Sequence, residues 1–305
     1  MKQIYFNGEF VTEDKAKVSI MTHGLQYGTG CFEGIRAYYN EKDMALYAFR
    51  LEDHFKRFAL SCKTLFITLS YTPEELADIT VELLRKNFEQ TDIYIRPVAY
   101  KSDLRVGNFN LTELEDGLAI YTVPMGRYLD TGEGISATVS SWRRISDTAI
   151  PPRAKVTGSY INTSLAKTDA ALAGYDEALL LDQTGHVAEG SAENIFLVKN
   201  NTFVTPPVSD DILEGITRNT MIELIQKELK LPVTERSIGR TEVYQVDELF
   251  LVGTGAEVTS VISVDKRPVG NGEIGEHTKA LKDLYFKIVH GENEKYKHWL
   301  TKITT

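Results

Sequence analysis

Cysteine is scarce in this chain of 305 residues, and its histidines show no pattern of metal ligands. The two cysteines, Cys31 and Cys62, form no CxxC pair, which excludes a disulfide framework and a zinc site of the finger type. His23 and His54 are therefore expected to pack or to cap rather than to bind metal. We expect two free, buried thiols and a reducing compartment.

Long apolar runs and an excess of basic residues are also missing. No stretch reaches the roughly 18 apolar residues of a membrane-spanning helix, and the N-terminal segment lacks the apolar run of a signal peptide. The formal net charge of −9 argues against a nucleic-acid partner. We therefore expect a cytoplasmic protein that binds neither nucleic acid nor membrane, with arginines placed locally for any anionic ligand.

What is present predicts mixed α+β structure. Asn7-Gly8 lies between two strand-like segments and predicts a hairpin with a type I′ turn. An apolar stripe predicts a helix over roughly Leu51 to Thr64, and the capping pattern that begins at Thr72 predicts the start of another. Buried strands are expected at DIYIRPVAY and GLAIYTVPM.

Strands dominate the second half of the chain, with helices expected after Gly158 and after Gly215. The predicted strands are ISATVSSW, EALLLD, AENIFLVK, TFVTPP, ELFLVG and EVTSVISVD. A turn-rich segment precedes them and predicts the domain boundary. We expect a small N-terminal α/β domain over 1–124, an interdomain loop over 125–135 and a larger, strand-rich domain over 136–305.

Lys155 stands in the segment IPPRAKVTGSY, between a double proline and a glycine, where a long cation has no obvious solvent-facing role. An amine attacks carbonyl groups only when it is unprotonated, a state that desolvation or neighbouring positive charge favours. Enzymes that use pyridoxal 5′-phosphate (PLP) hold this cofactor on such a lysine. The competing interpretation is a structural or solvated lysine.

Three further segments carry groups that suit this cofactor. HVAEGSAENIF contains Glu189 and Glu193, and a carboxylate here would keep a pyridine nitrogen protonated; the alternative is a surface hairpin. LEGITRNT opens a helix at Ile216 and Thr217, either as a phosphate site or as an ordinary cap. The turn 254–256 in VGTGAEVTSV either binds an anion or is a plain hairpin turn.

The glycine-rich segment HGLQYGTGCFEGIR fits neither of two familiar phosphate motifs. It has neither the GxxxxGK of a P-loop nor the GxGxxG of a dinucleotide-binding fold.

In order and spacing, these motifs closely resemble those of the bacterial branched-chain amino acid aminotransferases, which belong to PLP fold type IV. The resemblance extends from FNGEF to GENEKYKHWL, nearly the whole chain. It is carried by YGTGCFEGIRAY, YIRP, SSWRRI, IPPRAKVTGSYINTSLAK, EGSAENIFLVK, ILEGITRN and VGTGAEVTSV. It implies a two-domain α+β fold like that of D-amino acid aminotransferase, and PLP as cofactor.

The resemblance also assigns residues to the cofactor. Lys155 corresponds to the catalytic lysine that forms the Schiff base and shuttles the proton, and Glu189 to the carboxylate that faces the pyridine nitrogen. The other implied contacts are Arg57, Ile216, Thr217 and Thr254 to the phosphate, Tyr160 to the 3′-oxygen and Leu213 to the ring. No metal site is implied.

The implied substrate pocket combines apolar and cationic side chains. Its residues are Phe32, Gly34, Tyr94, Arg96 and Tyr128, with the turn Thr254, Gly255 and Ala256 for the α-carboxylate. Tyr27 corresponds to a pocket residue that the neighbouring subunit supplies. The expected assembly is therefore a homo-oligomer, at least a dimer, with a hexamer as the larger alternative.

The implied reaction is a ping-pong transamination from leucine, isoleucine or valine to 2-oxoglutarate. One pocket must then accept both an apolar side chain and a γ-carboxylate, for which Arg96 is the expected partner. Two departures from the family pattern concern the substrate. The turn reads GTGAE instead of GTAAE, and Arg105 stands in a loop that is usually uncharged, where it faces either the entrance or solvent.

Three alternatives share the fold or part of the site. A D-amino acid or (R)-amine transaminase would share Lys155 and Glu189 but differ in the pocket strands. Aminodeoxychorismate lyase would release pyruvate without an amino acceptor. A PLP-binding or purely structural homologue without activity would be expected to lose Lys155 or Glu189, and both are present.

Overall fold

The computed structural model describes residues 1–126 and 132–305, which divide into two compact units. The first unit comprises 1–126, 154–158 and 287–305, and the second the described residues of 127–153 together with 159–286. The sequence-based division assigns everything after residue 135 to one domain, so it differs from the structure at 154–158 and at 287–305. Both stretches bond to strands of the first unit.

The first unit is built on an eight-stranded sheet in the order β17-β5-β4-β6-β7-β1-β2, with β3 paired to β6. Its strands are β1 Gln3–Phe6, β2 Glu9–Thr12, β3 Gly30–Phe32, β4 Ile35–Asn40, β5 Ala45–Phe49, β6 Ile93–Lys101, β7 Asp116–Pro124 and β17 Leu300–Ile303. The C-terminal strand β17 lies antiparallel to β5, with Leu300 opposite Phe49, which explains why 287–305 belongs here. The predicted hairpin is confirmed, since Asn7 and Gly8 both have positive φ.

Three helices accompany this sheet: α1 His23–Tyr27, α2 Leu51–Thr64 and α3 Pro73–Lys86. Helix α2 has the predicted bounds, and α3 begins with the predicted capping box, in which the backbone N–H of Glu75 donates to Thr72. Their apolar faces, including Phe55 and Phe58 from α2 and Leu83 from α3, form one core with the sheet.

The two cysteines are free and buried, as predicted from the sequence. Their sulfur atoms lie 3.4 Å apart. The hydrogen bond to Cys62 and burial together raise the pKa of Cys31, so this residue stays a thiol.

The second unit is built on a nine-stranded sheet in the order β10-β9-β8-β15-β14-β11-β12-β13, with β16 paired to β15. Its strands are β8 Ile135–Arg143, β9 Glu177–Leu181, β10 Val187–Gly190, β11 Asn194–Lys199, β12 Thr202–Thr205, β13 Val233–Glu235, β14 Glu248–Gly253, β15 Glu257–Val264 and β16 Arg267–Pro268. All six strands predicted for this half of the chain are confirmed.

The helices of the second half are α4 Tyr160–Leu172, α5 Ile216–Leu224 and α6 Glu276–Val289. The first two are the helices predicted after Gly158 and Gly215, whereas α6 lies outside the predicted elements. The boundary between the units falls inside α6, before Lys287.

Candidate active site

Lys155 is held by its backbone in the first unit. Its N–H donates to Ser61 Oγ at 3.1 Å, and its carbonyl accepts from the N–H of Phe32 at 3.1 Å. The short stretch beyond it is fixed as well, because Gly158 donates to the Gly28 carbonyl and a Cβ on Gly28 would lie only 2.7 Å from Gly158 Cα. The small residues of this segment therefore serve close backbone packing.

The Lys155 amine lies above an aromatic ring. Its Nζ is 5.2 Å from the ring centroid of Phe32, within the range of a cation–π contact. The side chain is half-buried, with its backbone fixed from both sides. The sequence-predicted lysine is thus a partly desolvated amine in a fixed place.

Helix α2 presents three polar residues on one face of the helix, because His54, Arg57 and Ser61 are spaced by three and four positions. Arg57 forms a bidentate ion pair with Glu33, with Nε–Oε1 at 2.7 Å and Nη2–Oε2 at 2.8 Å. His54 Nδ1 lies 2.8 Å from the same Oε2. Arg57, a predicted phosphate ligand, is therefore paired with a carboxylate to which the sequence assigned no role.

The electrostatics of this cluster follow from burial and pairing. Burial alone would raise the pKa of Glu33, but the charge of Arg57 and the hydrogen bonds from His54 and Arg57 hold that pKa well below its ordinary value. Burial lowers the pKa of His54 more than Glu33 raises it. At neutral pH the cluster is a carboxylate, a guanidinium and a neutral imidazole.

Four predicted pocket residues of the first unit lie close together, with Phe32 on β3, Gly34 just before β4, and Tyr94 and Arg96 on β6. The Arg96 guanidinium lies over two rings, 4.1 Å from the centroid of Phe32 and 5.1 Å from that of Tyr94, and its Nη2 donates to Tyr94 Oη at 2.7 Å. Gly34 leaves room for this arrangement, since a Cβ there would lie 2.3 Å from the same hydroxyl oxygen.

Arg96 has unused capacity to bind an anion. Its buried Nε has no hydrogen-bond partner, and no carboxylate of the described part of the chain pairs with its charge. A buried donor without a partner costs free energy, so a ligand that supplies an acceptor is favoured here.

Tyr27 ends helix α1 and is more exposed, with 38% of its surface accessible. Its ring contacts His23 and Phe109 at centroid distances of 4.5 Å and 5.1 Å. His23 packs and bonds as predicted, with Nδ1 at 2.7 Å from Thr29 Oγ1. In the nearby loop Arg105 is paired with Asp103 by Nε and Nη2, so the unusual charge of this loop is compensated.

Glu189 is the centre of the corresponding cluster in the second unit. It lies on β10, and its Oε1 is 2.7 Å from Arg144 Nε, with both side chains largely buried. Its Oε2 accepts from Asn194 Nδ2 at 3.2 Å and from the N–H of Leu213 at 3.1 Å. The interpretation of Glu189 as a surface hairpin residue is therefore wrong, and its partners Arg144 and Asn194 were not predicted from the sequence.

The start of helix α5 is shaped for an anion. Gly215 is its N-cap and no side chain caps the helix. A Cβ on Gly215 would lie 2.1 Å from Asn194 Oδ1, so the position excludes larger residues. Ile216 and Thr217, both buried, therefore begin the helix with backbone N–H groups that no capping side chain takes up.

The remaining predicted residues of this unit lie at element ends. Tyr160 is the first residue of α4, and residues 254–256 form the turn that joins β14 to β15. The carbonyl of Ala256 accepts from Thr259 Oγ1 at 2.7 Å, which fixes one end of this turn. Tyr128 lies outside the described residues.

Glu193 is a third buried carboxylate, on the turn before β11. It accepts from the N–H of Ala192 at 3.1 Å, and in the described ranges it has no partner cation. Burial, together with the charge of Glu177, raises its pKa to about 8. Glu193 is therefore mostly protonated at neutral pH.

The described ranges contain neither a metal-binding cluster nor a membrane-spanning helix. No group of His, Cys, Asp and Glu residues within 1–126 and 132–305 is arranged to hold a metal ion. None of the described helices is both long and apolar enough to cross a membrane.

Comparison with known proteins supports one family. The family model "Amino-transferase class IV" matches residues 30–264. A "Probable branched-chain-amino-acid aminotransferase" of Aquifex aeolicus (strain VF5) is 51% identical over 299 residues, covering 98% of this chain and 96% of the relative.

Solved structures agree with this comparison. The branched-chain aminotransferase of the archaeon Thermoproteus uzoniensis, solved with norvaline, is 44% identical with a TM-score of 0.94 and 99% coverage of both chains. The branched-chain amino acid aminotransferase of T.th., complexed with N-(5′-phosphopyridoxyl)-L-glutamate, is 40% identical with a TM-score of 0.92 and 98% coverage of both chains. The predicted α+β fold of PLP fold type IV is confirmed.

Proposed function

The chain belongs to the class IV aminotransferases, and from this premise we propose that it moves the amino group of leucine, isoleucine and valine to 2-oxoglutarate. The relatives support this substrate class. One was solved with norvaline, an apolar amino acid, and another with a phosphopyridoxyl derivative of glutamate, the product that 2-oxoglutarate would give. We place the reaction in the cytoplasm, where the free thiols Cys31 and Cys62 stay reduced.

The side chains present fit PLP as cofactor. PLP has an aldehyde, a phosphate and a pyridine nitrogen, for which the chain supplies the amine of Lys155, the cation of Arg57 and the buried carboxylate of Glu189. The uncapped start of α5 adds backbone donors for the phosphate. When bound, PLP withdraws electrons from the α-carbon of the substrate and so makes the α-proton acidic.

Lys155 and Glu189 carry the chemical roles. Lys155 Nζ would hold the cofactor through its aldehyde group and would carry the α-proton of the substrate. Glu189 would keep a proton on the pyridine nitrogen, and Arg144 forms an ion pair with Glu189 at 2.7 Å. The other cofactor contacts that we propose are Arg57, Ile216, Thr217 and Thr254 to the phosphate, Tyr160 to the 3′-oxygen and Leu213 to the ring.

The observation that carries the substrate assignment is Arg96. Its guanidinium lies against aromatic rings and its buried Nε lacks a partner. One wall of the first unit thus offers apolar surface from Phe32 and Tyr94 to a branched side chain, and a cation to the γ-carboxylate of 2-oxoglutarate. By the family resemblance, the other substrate contacts that we propose are Gly34 and Tyr128, together with the backbone of Thr254, Gly255 and Ala256 for the α-carboxylate.

The working form is a homodimer or a larger assembly of dimers. An apolar cavity of about 340 Å³ opens on the first unit, lined by residues such as Phe6, Val98 and Tyr121. Val18 and Leu25 from its rim are 51% and 62% exposed, a degree of apolar exposure that marks an interaction surface. Light scattering would give the assembly, dimer or hexamer, and Leu25→Asp should shift it toward monomer.

A transamination assay with purified, PLP-loaded protein tests the function. L-leucine and 2-oxoglutarate should give equal amounts of glutamate and 2-oxoisocaproate, whereas D-alanine and (R)-1-phenylethylamine should give neither. Turnover of D-alanine or of the amine, or pyruvate release from aminodeoxychorismate without an acceptor, would replace the proposal by one of its alternatives.

Arg96→Ala tests the dual pocket. It should raise the KM for 2-oxoglutarate at least about tenfold, because a charged hydrogen bond is lost, and raise the KM for 2-oxoisocaproate less. Arg105→Ala is the matched control, since Asp103 already compensates this exposed arginine, and both KM values should stay within about twofold. Equal losses for both acceptors in Arg96→Ala would contradict a γ-carboxylate role.

A further inference from the structure

Glu33 is a buried charge that none of the roles above uses. It lies between β3 and β4, in the short stretch where both strands run beside β6, and none of its surface is exposed. Pro97 of β6 has no N–H to donate to its neighbours. At this point the chain segment between β3 and β4 is bonded to β6 through the N–H of Glu33, which donates to the Pro97 carbonyl at 3.0 Å. The position of Glu33 is thus set by the sheet.

A carboxylate in this place needs a reason, because burying a charge is unfavourable unless it is paired. The two oxygens of Glu33 accept hydrogen bonds from Nε and Nη2 of Arg57. Glu33 Oε2 is also 2.8 Å from His54 Nδ1. Neutral His54 donates here, so the carboxylate is anchored by α2 at two points one helical turn apart. The result is a carboxylate that cannot turn.

The fork with Glu33 restricts Arg57 in turn. A guanidinium is planar, and a bidentate carboxylate fixes both its position and the plane in which its remaining N–H groups point. Glu33 accepts from Nε and Nη2, so the carboxylate sets the direction of the whole guanidinium. The Arg57 side chain is 12% exposed and Glu33 is not exposed, so the arginine is the member of the pair that a ligand can meet.

We propose that Glu33 is a positioning residue, which fixes the Arg57 guanidinium in the orientation that grips the phosphate of the cofactor. This inference rests on the proposed function, in which Arg57 binds that phosphate. A purely electrostatic effect would have the opposite sign, because removing a negative charge behind Arg57 would strengthen phosphate binding. The two effects can therefore be separated by measuring affinity.

The test compares the affinity of the cofactor-free full-length protein for PLP and for pyridoxal, which lacks the phosphate, by fluorescence titration. Glu33→Gln should weaken PLP about tenfold to a hundredfold, the range found for groups that orient metal ligands, and leave pyridoxal unchanged. Glu33→Asp keeps the charge with a shorter reach, so it should lose less PLP affinity and also serves if the glutamine variant does not fold. In an Arg57→Ala background, Glu33→Gln should cause no further loss.

Glu248→Gln is the matched control for loss of a buried carboxylate. Glu248 is buried in the second unit and accepts from the backbone of His277 and Thr278 at the start of α6. Its removal should lower the melting temperature but leave the ratio of PLP to pyridoxal affinity unchanged.

Three results would overturn the inference about Glu33: unchanged or tighter PLP binding by Glu33→Gln, equal losses for PLP and pyridoxal, or the full loss persisting without Arg57. Failure of the proposed function looks different, because it would appear in the transamination assay of the wild-type protein and not in the ratio of PLP to pyridoxal affinity of the Glu33 variants.

Discussion

Each unit contains a buried arginine–glutamate pair, and the two pairs differ in which member is assigned to the ligand. In the first unit the arginine, Arg57, is assigned to the ligand, and Glu33 is its ion-pair partner. In the second unit the glutamate is assigned to it, and Arg144 stands behind Glu189. Since an isolated buried charge is strongly unfavourable, the opposite charge in each pair stabilises the buried group that is assigned to the ligand.

The difference also shows where sequence motifs are informative. Arg57 and Glu189 match positions with a chemical role, so the resemblance found them. Glu33 and Arg144 act through these residues, and no role was assigned to either.

The largest effect is expected for Lys155, because both ion pairs are assigned to the cofactor that this lysine is proposed to hold. Lys155→Ala removes the covalent link and the proton carrier together, so turnover should fall by more than about a thousandfold. Borohydride reduction of the wild-type enzyme followed by peptide mapping should place the cofactor on Lys155. A label on Lys167, which is paired with Glu177, would contradict the assignment.

The second prediction separates the roles of the two glutamates. At about 4 Å and an effective dielectric constant of about 20, a carboxylate and a pyridinium attract by about 4 kcal/mol. Glu189→Gln should therefore lower kcat by about a thousandfold at saturating PLP. Glu33→Gln should instead lower PLP affinity and keep kcat within about fivefold once PLP saturates.

Steady-state kinetics over a PLP titration gives the kcat and the PLP affinity of Glu189→Gln and of Glu33→Gln. If both variants lost kcat, or both lost only PLP affinity, the proposed difference between the roles of Glu189 and Glu33 would be contradicted.

The third prediction concerns the supporting arginine of the second unit. Arg144→Met leaves Glu189 buried without its counter-charge, so the free energy of unfolding should fall by about 3–5 kcal/mol in urea titrations. Arg143→Met is the control, because Arg143 is adjacent in sequence but exposed, and it should stay within about 0.5 kcal/mol of wild type. Equal effects of the two substitutions would show that Arg144 does not support Glu189.

The smallest effect is expected for Glu193, the buried carboxylate that has no partner cation among the described residues. Its pKa is raised from 4.5 to about 8, so the folded protein binds this proton more tightly than the unfolded chain does. The free energy of unfolding should therefore fall as pH rises from about 4.5 to about 8, by a few kcal/mol at most. Glu177, Glu189 and Lys167 contribute to the field at this site.

Glu193→Gln should remove this slope, so the variant should gain stability over wild type between pH 5 and pH 9 as followed by thermal melts. Glu41→Gln is the control at an exposed position, and its stability should change with pH in parallel with that of wild type. Parallel stability curves of Glu193→Gln and wild type over this interval would mean that Glu193 is ionised in the folded protein.

Local patterns predicted most of the secondary structure, because capping and periodicity act within a few residues. Helix α2 begins and ends where its apolar stripe does, and the capping box of α3 is readable as Thr72 followed by Glu75. Long-range pairing is different. Nothing in the sequence of β17 says that it joins β5, some 250 positions earlier, so the assignment of 287–305 differed from the structure.

The site shows the same limit. Lys155, Glu189 and Arg96 stand in recognisable motifs, whereas SSWRRI contains two arginines and only the fold buries Arg144 and exposes Arg143. Likewise Glu33 lies within the motif FEGIR, which gives no sign of its role. The proposed role depends on Arg57, which lies on helix α2 later in the chain.

The most direct test of the whole account is the absorption spectrum of the PLP-loaded enzyme during addition of L-leucine without an acceptor. The account predicts that the band of lysine-bound cofactor disappears with L-leucine, returns when 2-oxoglutarate is added, and does not respond to D-alanine or (R)-1-phenylethylamine. A band that responds to D-alanine or the amine, or a protein that shows no band after incubation with PLP, would contradict it.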